Sequence, residues 1–138
     1  MSNAKTIADR FWNLFKAGNF AELEALMHPE CHFKMPGIEL RDRAAVIQML
    51  RAYITAFPDL THDIVNFVGD DESVAEELVV TGTQTGPMQT PQGVVPPTGK
   101  RVVWESCDYI RVRQGKLTSW HVYHDPLPFL SALGLVKA

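Results

Sequence analysis

The sequence predicts an α+β domain in which helices come first and a run of antiparallel strands follows. Two observations carry that prediction. Up to Pro58 apolar residues recur at helical spacing, and from His62 onward they fall in strand-like segments. In addition, Arg101–Asp125 reads as two strands joined at Gln114-Gly115, because glycine accepts the positive φ that a tight primed turn requires.

In chain order, Ile7, Phe11, Leu14 and Phe15 mark a helix over Met1–Ala17, with Ser2 or Asn3 as cap and Gly18 as stop. Asn19, with Glu22 three residues on, opens a short helix Phe20–Met27 that ends before Pro29, with His28 at its end. Cys31–Met35 is a short strand closed by Pro36-Gly37. Val46, Leu50, Tyr53 and Phe57 form one stripe of the longest helix, Asp42–Phe57, which Pro58 ends. His62–Val68 and Ser73–Thr85 read as strands around an acidic turn. Gly86–Lys100 holds four of the nine prolines and reads as a long loop, either a lid or a dimer edge. Pro126–Leu133 reads as a closing helix before Gly134.

If Arg113 pairs with Lys116, the register of the last ribbon follows. Val112 then faces Leu117, Ile110 faces Ser119, Asp108 faces His121, Ser106 faces Tyr123, and Trp104 faces Asp125. Side chains alternate across a strand, so all of these share one face. Two carboxylates, an imidazole and a phenol on an otherwise apolar face suit proton transfer. Helices on the concave side of a curved sheet would enclose a pocket there.

The 138 residues suggest a single domain, 1–138, with 46% apolar and 21% charged residues. With a net charge of −3 and no basic run or stripe, nothing points to nucleic acid or an anionic membrane surface as a partner, and neither is expected. No apolar run is long enough to span a bilayer, and the N-terminus lacks a signal-peptide pattern, so a cytoplasmic location is expected. Cys31 and Cys107 make neither a disulfide framework nor a metal spacing and read as buried free thiols. The five histidines show no metal-binding spacing on one helix, and no nucleotide-binding or nucleophile-elbow motif occurs. Neither a metal nor a cofactor is therefore expected.

Several stretches resemble the SnoaL-like polyketide cyclase family: Ala56-Phe57-Pro58-Asp59-Leu60, Gly69-Asp70, Gly82-Thr83-Gln84-Thr85-Gly86, Pro97-Thr98-Gly99-Lys100, Asp108-Tyr109-Ile110-Arg111, Gly115-Lys116-Leu117 and Asp125. The resemblance runs from about Phe11 to Gly134. It implies the cone-shaped, nuclear-transport-factor-2-like (cystatin-like) fold shared with ketosteroid isomerases and limonene epoxide hydrolases. It also implies a homodimer and a cofactor-free pocket for a small hydrophobic molecule. In such cyclases the acid near the end of the last strand is the base of an intramolecular aldol closure, and Asp125 matches it. Gln84 stands where the family has His, and Ser119-Trp120-His121 replaces its E-x-W. The last strand also resembles the ending of limonene epoxide hydrolases, but Val122 occupies a catalytic Asp position, which demotes that activity.

The candidate site residues follow. Asp125 is either a general base, its pKa raised by burial near Trp104, or the cap of the last helix. Asp108 and His121 are either a proton-donating pair or a structural hydrogen bond. Tyr123 is a donor or a pocket wall, and Trp104 is wall or core. His32 borders the pocket or is structural. Trp12, Tyr53 and Phe57 supply aromatic mass to core or pocket, and Gln84 is a substrate contact by resemblance. The expected function is a cyclase or isomerase acting on a hydrophobic carbonyl compound. A non-catalytic ligand-binding or dimerisation module of the same fold is the alternative, and an epoxide hydrolase comes third.

Overall fold

The computed structural model describes residues 3–136, so the cap expected at Ser2 lies outside the described residues. α1 (Asn3–Ala17) and α2 (Phe20–Leu26) are followed by β1 (Met27–Met35), β2 (Ile38–Leu40) and α3 (Arg43–Ala56). Then come β3 (Thr61–Gly69), β4 (Ser73–Thr83), the short hairpin β5 (Met88–Thr90) and β6 (Gly93–Val95), β7 (Arg101–Arg113), β8 (Lys116–Tyr123) and α4 (Pro126–Ala132). Side-chain caps set three helix starts: Asn19 accepts from Glu22 N–H, Asp42 from Ala44 N–H and Asp125 from Leu127 N–H.

The main sheet has the order β2-β1-β8-β7-β4-β3. It is mixed rather than wholly antiparallel, because β1 runs parallel to β8. These two strands are remote in the chain, so no tight turn dictates their relative direction. α1 crosses β3, β4, β7 and β8, and α3 covers β1 and β2 and touches β5. The core between helices and sheet holds Phe11, Phe33, Leu50, Phe57, Ile110 and Leu117, all essentially inaccessible to solvent.

Three sequence expectations change. β1 begins at Met27, so His28 lies in a strand, where its Nδ1 accepts from Glu30 N–H. The expected loop 86–100 contains the β5–β6 hairpin. Cys31 is buried, with its thiol pushed up to about 12 by burial, but Cys107 is exposed on the outer face of the sheet.

The most consequential change is in the last ribbon. The turn forms as read, with Gln114 at φ 53° and Gly115 at φ 74°, and Arg113 pairs with Lys116 and Val112 with Leu117. Arg111 then pairs with Ser119, leaving Thr118 as an extra residue in β8. Its hydroxyl donates to Arg111 O at 3.2 Å. A one-residue bulge moves every later side chain to the other face. Asp108 therefore faces Val122 rather than His121, Ile110 faces Trp120 rather than Ser119, and Tyr123 faces Cys107 rather than Ser106. The inward set on β8 becomes Trp120 and Val122, joined by His124 just past the strand's end.

Candidate active site

Asp108 is the carboxylate at the centre of the inner face. It is 2% exposed, and it accepts hydrogen bonds from Ser106 Oγ and Trp120 Nε1, each at 2.9 Å. Burial pushes its pKa up to about 7. The Trp120 and Ser106 donors pull the other way, and the charge of Glu76 adds to the rise. Glu76 is the cross-strand partner of Asp108 on β4 and is itself fully buried. Its oxygens are taken by Trp12 Nε1 at 2.9 Å and Lys5 Nζ at 3.0 Å, and Lys5 also meets Asp9 at 2.7 Å. Two buried acids thus stand side by side with different surroundings. Glu76 has a cation and an indole, whereas Asp108 has only neutral donors.

Asp108 lines a narrow cavity of about 60 Å³ whose other walls are apolar and aromatic, among them Phe33, Leu60, Val80 and all three tryptophans, Trp12, Trp104 and Trp120. Asp108 is the sole carboxylate among the described residues that line it. Two histidines join it there. His62 stacks on Trp12 with ring centroids 4.6 Å apart, and burial lowers its pKa to about 4, which keeps the ring neutral at pH 7. The Nδ1 of His124 is closed off from solvent. Burial lowers its pKa too, while a hydrogen bond to the Asp125 backbone and the charge of Asp125 oppose the shift.

The inner cavity shares Met35, Met49, Tyr53, Trp104 and His124 with a much larger groove of about 950 Å³. That groove runs between α3, the β5–β6 hairpin and α4. Tyr53 stands where the two spaces meet, its hydroxyl 4.0 Å from Met35 Sδ and its pKa pushed up to about 12 by burial.

The sequence candidates divide accordingly. Asp108, Trp104, Trp12 and Tyr53 come together around the cavity. Asp125 does not: it is exposed, and its Oδ1 accepts from Leu127 N–H at 3.0 Å as the cap of α4. Tyr123 is 53% exposed on the outer face. His121 is also carried outward by the bulge, where it meets His32 Nδ1 at 3.0 Å, and His32 in turn reaches Glu39 at 2.9 Å. Burial, then the charge of His32, holds the pKa of His121 below its ordinary value. Phe57 is fully buried core against Trp104 and Phe129. Gln84 is also fully buried, but it serves the chain itself. Its amide nitrogen donates to Gly86 O and Pro96 O at 3.1 Å, and its oxygen accepts from the Thr98 hydroxyl at 2.7 Å.

Ser106, Trp120, His62, His124 and Glu76 were not singled out from the sequence as site residues. Alternation along β7 places Ser106 beside Asp108, but the bulge hid Trp120 and His124. Glu76 carries no local signal, because its partners Lys5 and Trp12 lie far away in the chain. Among the described residues, no three His, Cys, Asp or Glu side chains are grouped as a metal would need, and no helix is long and apolar enough to cross a membrane.

Fold and site together define a helix-covered, cone-like α+β domain with an acid at the base of a greasy pocket, the nuclear-transport-factor-2-like class. The family model of the SnoaL-like domain matches residues 8–120, and the chain belongs to that family. No curated protein sequence matches it. Solved structures do. A proposed SnoaL-like polyketide cyclase from Jannaschia sp. CCS1 is similar at 18% identity and TM-score 0.84, over 98% of this chain and 94% of that one. IdmH, a proposed polyketide cyclase from Streptomyces antibioticus, is similar at 23% and 0.77, over 95% and 98%. An LEH-like epoxide hydrolase from M. tuberculosis is similar at 17% and 0.73, over 95% and 89%. At these identities the likeness concerns the fold.

Proposed function

We propose that the protein is an acid/base enzyme that moves a proton on a hydrophobic carbonyl compound, as a cyclase or isomerase, with Asp108 rather than Asp125 as the base. The observation that carries this is a buried carboxylate, poised near pH 7, that lines an apolar cavity and is held in place by two donors. An ordinary carboxylate is too weak a base for a carbon-bound proton, and a value near the working pH suits the task. In the step itself, ionised Asp108 takes the α-proton. The C–H electron pair forms the enolate double bond, and the carbonyl π pair moves onto oxygen. As the first carbonyl re-forms, the enolate carbon either attacks a second carbonyl in the same molecule, whose π pair moves onto oxygen and takes the proton from Asp108, or, in a conjugated enolate, the distal carbon takes that proton. The neutral aromatic walls exclude water, which would compete for both proton and charge.

Polyketide cyclases among the structural relatives favour this reading over epoxide hydrolysis, for which Val122 supplies no acid. The reading includes a homodimer, for which Val103 and Tyr123, exposed on the outer face, offer apolar surface. Screening polyketide-like, steroid-like and epoxide compounds with wild type and Asp108→Asn tests it. Turnover should fall about 10²- to 10⁴-fold in the variant. Equal turnover by both proteins, or a loss confined to Asp125→Asn, would remove Asp108 as the base.

A further inference from the structure

The pocket consists of two spaces of very different size that share Met35, Met49, Tyr53, Trp104 and His124 in their walls. Only the inner one, of about 60 Å³, reaches Asp108. A space of that size takes only a few waters or a small organic fragment. The outer groove, at about 950 Å³, is large enough for a whole drug-sized molecule. No Asp, Glu, Lys or Arg lines that groove among the described residues, and its polar groups are neutral, such as Gln48, Gln89 and Thr90.

We infer that the substrate is a neutral, largely apolar molecule bearing its reactive carbonyl in a slim, open-chain acyl head. The head enters the inner cavity and the body stays in the outer groove. A carbonyl embedded in a ring system brings more atoms on both sides than the small space beside Asp108 takes. A carboxylate or phosphate on the body would lose its hydration with no cation in the groove to replace it. Asp108 takes the proton from the α-carbon, and the carbonyl π pair moves onto its oxygen. This assignment rests on the reading of Asp108 as the base.

Hydrogen–deuterium exchange at the α-carbon, followed by NMR in D₂O, tests it with simple probes. Three are used: 2-decanone as the slim-headed ketone, 1-decalone as the ring ketone, and decanoate as the charged chain. The enzyme should exchange 2-decanone at least about tenfold faster than 1-decalone, a discrimination typical of steric pockets. Asp108→Asn should abolish the exchange. Val122→Ala, which widens the inner cavity, should narrow the gap between the two ketones. Decanoate should leave the fluorescence of the three cavity tryptophans unchanged at concentrations where 2-decanone shifts it.

Faster exchange of 1-decalone, still dependent on Asp108, would overturn the slim head and leave the base intact. Binding of decanoate as tight as that of 2-decanone would overturn the neutral body. Exchange that is the same with and without Asp108 for both ketones would take down the base and, with it, this assignment.

Discussion

Asp108 and Glu76 are neighbours across one strand pair, yet only Asp108 opens onto the cavity. The difference lies in what each acid touches. Lys5 and Trp12 occupy the oxygens of Glu76, whereas Ser106 and Trp120 offer Asp108 neutral donors that orient it without fully compensating its charge. Removing one donor from an ionised carboxylate favours its protonated form. Trp120→Phe should therefore move the acid limb of the pH–rate profile to higher pH, whereas a variant of the outward Tyr123 should not move it. The same logic separates Asp125 from Asp108. Both were visible as acids on the last ribbon, and the cap reading of Asp125 was already open from Pro126 alone. What the sequence could not show was which acid faces inward, because that depends on a one-residue bulge with no signature beyond an ordinary threonine.

At the scale of elements, three stretches that carry the family resemblance form one knot. Gly86 lies so close to the end of α3 that a Cβ there would collide with the Thr55 carbonyl, and a Cβ at Gly82 would press on Phe57 at 3.0 Å. Asp59 accepts from the Thr83 amide at 2.7 Å and from its hydroxyl at 2.8 Å. Gln84 ties its own backbone and side chain to Gly99, Thr98 and Lys100. These motifs were legible because local backbone geometry demands particular residues, and what they encode is the junction of α3, β4 and the start of β7. Gly86→Ala should destabilise the fold by more than about 1 kcal/mol, and Gln84→Ala by about 1–3 kcal/mol through its buried partners, both read by chemical denaturation. Neither should shift the pH–rate profile. The β7 half of the ribbon was read correctly for a related reason: strict alternation from Val102 to Val112 is uninterrupted.

For the whole molecule, two buried groups tilt stability in opposite directions. Asp108 is raised to about 7 from an ordinary 3.8, so between those values the folded state binds more protons than the unfolded chain, and stability falls as pH rises. His62 is lowered to about 4 from an ordinary 6.5, so there the unfolded chain binds more protons, and stability falls as pH drops. His121 and His124, both held below their ordinary values, add to the histidine side. Measured against wild type, Asp108→Asn should gain stability progressively from pH 4 to 7, by up to about 4 kcal/mol. His62→Phe should show its gain at pH 4, by up to about 3 kcal/mol, and lose it by pH 6.5. Denaturant midpoints across this range would show both trends. Parallel, pH-independent offsets would mean that neither group is perturbed in the folded state. A stabilised Asp108→Asn that no longer exchanges α-protons would mark the cost that a working acid imposes on its scaffold.

Thr118 is the residue by which β8 outcounts its neighbour. Losing that one position would close the bulge and leave Ser119 opposite Arg111 and Trp120 opposite Ile110, so Trp120, Val122 and His124 would keep their inward places. A single in-frame codon deletion there is thus a change that a lineage could absorb without altering which groups the cone turns inward.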